Sequence, residues 1–349
     1  MDIKNRNVSL DLLRIIAMLF IVIGHIISHG TVKIGLEFSS LNYFIVWGVL
    51  AFCIVAVNCY VLISGYFLSS QKEFKKNKII ELIRITFFYS VSTFVVLLFA
   101  KQTVFNIVLL PKIFLPVLTF SYWFITIYIL MYLFFPYYNF LINNLTQESF
   151  KILLRIGFIV LSVFPMLFIL YVPKLSGIGF LLWFTYLYFV GSYIRKYYVP
   201  NYKPVKYFFG YVFCCLLIVF SKVFLTIITT KLNQNLGTAF LYENNSFLVF
   251  FASLFLFMFF INLKINNQNK KFSVVFLFSS ATFPVYLITE QFAMRDFLWK
   301  KIFAISNNIP WFFLLIKIII IGVIVYLISS LIEIIRRYIV KKLKNEKFN

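Results

Sequence analysis

The 349-residue chain is 62% hydrophobic and only 13% charged, whereas a soluble domain is roughly half apolar and a quarter charged, so a soluble globular fold is excluded. The formal net charge of +22 does not indicate a nucleic-acid partner, because the basic residues come in short clusters between apolar runs instead of forming one solvated face. The expected fold is an all-α polytopic membrane helix bundle.

About ten stretches have the roughly 20 apolar residues that a spanning helix needs: 8–29, 44–69, 85–100, 120–142, 152–172, 177–194, 205–228, 246–263, 272–293 and 310–335. The denser basic clusters, from Lys72 to Arg84, Arg195 to Lys206, Lys264 to Lys271 and Arg336 to Lys347, fall on alternate connections. The positive-inside preference therefore puts both termini in the cytoplasm. No small-residue cleavage site follows the first apolar run, which is expected to be retained. Without a long linker or polar block, residues 1–349 are expected to form a single membrane domain with no separate soluble one. Cys53, Cys59, Cys214 and Cys215 all fall within predicted spans and suit apolar packing better than disulfides. The aromatic share of 21% suits lipid-facing surfaces and interfacial belts.

The first span, "SLDLLRIIAMLFIVIGHIISHG", carries Asp11, Arg14 and both histidines of the chain, His25 and His29. Arg14 and His25 are eleven positions apart, three helical turns plus about 20°, so they share a face about 16 Å apart along the axis. Asp11 and Arg14 can form an i,i+3 ion pair that anchors the helix end. An imidazole within a span needs a partner or a cavity, and it titrates near neutrality, as proton transfer requires. His29 reads as an interfacial polar residue. The His25/His29 spacing could hold a metal, but no third ligand is evident and no metal is expected.

The segment "RNVSLDLLRIIAMLFIVIGHI" resembles the amino-terminal signature of the acyltransferase-3 family of multispanning O-acyltransferases, in which a basic residue, ten intervening residues and a histidine lie on the first helix. Here these are Arg14 and His25. Further similarity appears in "LISGYFLS" (62–69), "YWFITIYILMYLFFPYYN" (122–139) and "SSATFPVYLITE" (279–290). Two positions depart from the pattern. Where many relatives have Arg-x-x-Arg, Glu81 replaces the first arginine and Arg84 matches the second. Where many have histidine after "YLI", this chain has Thr289 followed by Glu290.

The resemblance implies transfer of an acetyl group from acetyl-CoA, as a donor substrate and not a bound cofactor, to a hydroxyl of a surface polysaccharide or its lipid-linked precursor. His25 would be the general base or acyl carrier, with Arg14 and Glu290 as its catalytic companions. Arg14, Arg84, Lys76 and Lys78 would bind the donor's phosphates, although the lysines also suit topology and lipid binding. Asp11 would orient Arg14, while Trp123 and Tyr286 are candidates to contact the sugar; an interfacial role for Trp123 stays open. The expected partners are acyl-CoA, a carbohydrate acceptor, membrane lipid and polysaccharide-assembly proteins. The expected location is the bacterial cell (cytoplasmic) membrane. A proton-coupled transporter or flippase of a polysaccharide precursor would also account for buried Asp, Arg, His and Glu.

Overall fold

The computed structural model describes residues 7–38, 40–71, 73–167, 176–233, 237–265 and 272–345. The basic residues Lys4, Arg6, Lys72, Lys174, Lys270 and Lys271, and the end of the predicted span 152–172, lie outside the described residues. Among the described residues there is helix and no strand. Backbone groups in lipid have no water to bond, so the hydrogen bonds must close within each segment.

The helices are α1 (Val8–His29), α2 (Leu41–Cys53), α3 (Ala56–Leu68), α4 (Lys76–Phe99), α5 (Leu110–Phe114), α6 (Trp123–Asn144) and α7 (Gln147–Phe158). They continue with α8 (Phe164–Leu167), α9 (Ile178–Tyr197), α10 (Val205–Leu232), α11 (Phe247–Ile261), α12 (Phe272–Glu290), α13 (Phe292–Asp296) and α14 (Trp311–Asn345). Among the described residues, nine helical stretches are long and apolar enough to cross a membrane. The protein is an all-α polytopic membrane bundle. The remaining predicted span is α9, a 20-residue helix with Arg195 and Lys196 in its last turn. The second span is interrupted at Ile54 and Val55, so α2 and α3 form one broken 28-residue stretch. A π-helical segment, Ile159–Val163, joins α7 to α8.

The chain forms two compact units. The first comprises residues 1–46, 77–123 and 265–349. Within it α1 packs on α12 and α14, and α12 packs on α14. The second comprises residues 47–76 and 124–264, with α3 packed on α9 and α11, α10 on α11, and α7 on α9. The α3–α9 contact depends on two glycines. A Cβ on Gly65 would lie 2.3 Å from the Tyr188 carbonyl oxygen, and one on Gly191 2.4 Å from that of Leu62. Asn139 Nδ2 donates to the carbonyls of Leu68, the last residue of α3, and Gln71 beyond it at 3.0 and 3.1 Å, while Tyr188 donates to its Oδ1. The sequence stretches 62–69 and 122–139 are thus tied together as architecture. Along α10, Phe209, Phe213, Phe220 and Phe224 are exposed at helical spacing, the lipid-facing stripe expected of the aromatic excess.

Candidate active site

The first unit gathers an ionisable cluster from α1, α12 and α13. Helix α1 starts at Asn7, whose side chain caps Leu10 N–H at 3.1 Å, and Asp11 in its first turn complements the helix dipole. It stops at Gly30, where a Cβ would lie 2.3 Å from the Ile26 carbonyl oxygen and 3.4 Å from that of Trp299. His25 and His29 occupy one face of its last two turns. On α12, Glu290 is the final residue. Gln291 then reverses the chain by accepting the Ala293 and Met294 N–H groups on its Oε1 at 2.9 and 2.8 Å. That turn brings Arg295 of α13 back to the carboxylate.

The two Glu290 oxygens face different partners. Oε2 lies 3.2 Å from His25 Nε2 and 3.3 Å from His29 Nε2, whereas Oε1 lies 3.6 Å from Arg295 Nη1. Side-chain exposure rises from 9% at Glu290 through 15% at His25 and 27% at His29 to 34% at Arg295, which orders the groups from the interior outward. Tyr286, one turn before Glu290, places its ring centroid 6.4 Å from that of His25. Tyr122 packs edge-on against Tyr286 at 6.0 Å and donates to the Leu287 carbonyl at 3.2 Å. Three buried polar atoms of the cluster, His25 Nδ1, Glu290 Oε2 and Gln291 Nε2, have no hydrogen-bond partner among the described residues, so the imidazoles meet the carboxylate as close ion-pair contacts and not as aligned hydrogen bonds.

The structure brings His25, Glu290 and Tyr286, each singled out separately in the sequence, to one place. His29 does not serve merely as an interfacial residue, because it addresses the same carboxylate oxygen as His25. The expected reason against a metal also fails: Glu290 offers a third potential ligand, and the donor atoms of His25, His29 and Glu290 lie within 4.8 Å of one another. The charge balance nevertheless suits a proton better, since Arg295 already compensates Glu290 and a dication would add two further positive charges to a poorly solvated site. Thr289, where many relatives have histidine, turns its hydroxyl back to the Val285 carbonyl at 3.0 Å.

At the other end of α1, Arg14 Nη1 donates to Asp11 Oδ1 at 2.7 Å, the pair expected from their spacing. Lys76 and Lys78 lie in the first turn of α4 and Arg84 further along it, with Lys76 and Arg84 exposed. Trp123 opens α6 half-buried, and it is the preceding residue, Tyr122, whose ring meets Tyr286.

The family model described as "Acyltransferase domain", that of the acyltransferase-3 family, matches residues 7–329. The chain belongs to the acyltransferase-3 family. It is a multi-pass membrane acyltransferase. Comparison with curated proteins and with solved structures found no match. In this acyltransferase the matched region contains α1 and the whole His25–Glu290–Arg295 cluster.

Proposed function

We propose that this acyltransferase transfers an acetyl group from cytoplasmic acetyl-CoA to a hydroxyl of a surface polysaccharide or its lipid-linked precursor, in a bacterial cell membrane. The observation that carries the reading is the His25–Glu290 pair: a half-buried imidazole with one nitrogen against a carboxylate and the other without a partner among the described residues. A carboxylate beside Nε2 favours the tautomer that carries the proton there. Nδ1 then holds the lone pair and can accept a proton from a hydroxyl.

The acceptor oxygen attacks the thioester carbonyl as His25 takes its proton. An O–C bond forms, the C–S bond breaks, and the departing thiolate receives the proton from the imidazolium. Glu290 stabilises that transient cation, as the buried carboxylate does in other histidine-dependent acyl transfers. Arg295 faces the second carboxylate oxygen at 3.6 Å. His29, more exposed on the same oxygen, connects the pair to the outside. The distance of about 16 Å from Arg14 to His25 suits a donor whose nucleotide stays at the cytoplasmic end while its thioester reaches the imidazole. Tyr286, buried between Tyr122 and His25, is the aromatic neighbour of His25 assigned to orienting the acceptor; Trp123 and Asp11 stay as supporting groups.

The test is the O-acetyl content of the host's surface polysaccharide by NMR, with the gene deleted and then restored. Loss of acetyl signals on deletion and their return with the intact gene support the reading. Unchanged acetylation in a strain that expresses the gene contradicts the acetyl-polysaccharide assignment.

A further inference from the structure

A second charged cluster lies at the opposite end of the first unit. Glu333 of α14 is fully buried, and three side chains converge on its carboxylate. Arg336 grips it with two hydrogen bonds, Nε to Oε2 at 2.7 Å and Nη2 to Oε1 at 2.8 Å. Arg337 Nε donates to Oε1, and the Tyr89 hydroxyl of α4 donates to Oε2. Arg337 also reaches α12, where Nη1 donates to Ser280 Oγ at 2.8 Å and Nη2 to the Ser280 carbonyl at 2.6 Å. Pro284, four residues later, has no N–H to offer that carbonyl. The proline thus frees the acceptor that Arg337 uses.

The cluster is not electrically closed. Two guanidinium groups share one carboxylate, leaving one net positive charge, and of the five N–H donors on each guanidinium Arg336 uses two and Arg337 three on the described residues. The Arg336 guanidinium lies 5.4 Å from the ring centroid of Phe88, one helical turn beyond Arg84 on α4. The cluster is also level with the acid–base pair of α1. Gly322 of α14 lies against Ile23 and Ile26; Glu333 is eleven residues, or about 16 Å, beyond Gly322, and Asp11 about 18 Å before Ile23. On α12 the ten residues from Ser280 to Glu290 span about 15 Å.

We propose that Arg336 and Arg337, fixed by Glu333, form part of the phosphate-binding site for the donor nucleotide and supply the guanidinium that Glu81 removes from α4. This inference rests on the acyl-CoA reading above. The fixed fork of a guanidinium matches phosphate oxygens and loses little freedom on binding when a carboxylate already orients it. Arg336 makes the main contact, and Arg337 positions it while locking α14 to α12. Arg84 completes the site from α4.

The test uses the full chain in phosphatidylcholine nanodiscs, titrated calorimetrically with CoA and with 3′-dephospho-CoA. The wild type is expected to bind CoA, with Arg336→Gln weakening that binding about tenfold or more and Arg336→Lys less. In turnover assays KM for the donor should rise while kcat is kept. If Arg336→Gln does not fold, the wild type and Arg336→Lys still decide: equal affinity of the wild type for CoA and 3′-dephospho-CoA, together with unchanged affinity in Arg336→Lys, overturns the proposal. Unchanged CoA affinity in Arg336→Gln also overturns it, and if the same variant binds less phosphatidylglycerol when that lipid is added to the nanodiscs, the site is a lipid-headgroup site. No CoA binding by the wild type marks failure of the donor reading itself, which takes this inference with it.

Discussion

Glu290 divides its two oxygens between imidazole and guanidinium, and this division is what a single substitution can test. Glu290→Gln keeps the shape and removes the charge that favours the imidazolium, so kcat is expected to fall by about a hundredfold, with KM for the donor little changed. His29→Gln leaves His25 facing the carboxylate and is expected to cost less than about tenfold; both are read by release of the CoA thiol. Residue identity was legible in the sequence: His25, Glu290 and Tyr286 were each conspicuous as polar or aromatic groups at membrane depth. Their juxtaposition was not, because nothing local says which end of α12 meets which end of α1. His29 reads as interfacial because it lies near a span's end, Arg295 is legible only as an ion-pair partner for Glu290 near the outer surface, and Glu333 is hidden because its arginines read as an ordinary cytoplasmic tail.

At the scale of elements, the family-like stretches divide by task. The first stretch and 279–290 build the candidate site, joined by Tyr122, while 62–69 and 124–139 belong to the second unit, where Gly65 and Gly191 let α3 and α9 approach to backbone contact. Gly65→Leu forces a side chain into the Tyr188 backbone and is expected to cost roughly 1–3 kcal/mol or more. The thermal unfolding midpoint of the purified protein should fall accordingly, and an unchanged midpoint would contradict the close α3–α9 packing. Hydropathy read the spans well but misjudged their ends. Helix α4 begins at Lys76 and not at 85, and α14 runs to Asn345 and not to 335, because polar helical turns outside lipid carry no apolar signal. The break at Ile54 and Val55 was invisible for the opposite reason, being made of apolar residues within an apolar run.

For the whole molecule, the proposed reaction would have two chemistries meet across a bilayer, with the donor's phosphates at the basic end of the first unit and the proton acceptor at the other. This makes sidedness a testable consequence. All four cysteines are buried, so they should be silent to a membrane-impermeant maleimide, and single cysteines can report orientation in intact cells. Glu37→Cys, after α1, should label from outside, and Glu73→Cys, before α4, only after permeabilisation; the reverse pattern would invert the topology. The most direct measurement is O-acetyl content of surface polysaccharide in a deletion strain carrying either intact protein or His25→Ala at equal abundance. Acetylation restored by the intact protein and absent with His25→Ala is the expected result. Full acetylation with His25→Ala would show that the His25–Glu290 pair does not perform the transfer.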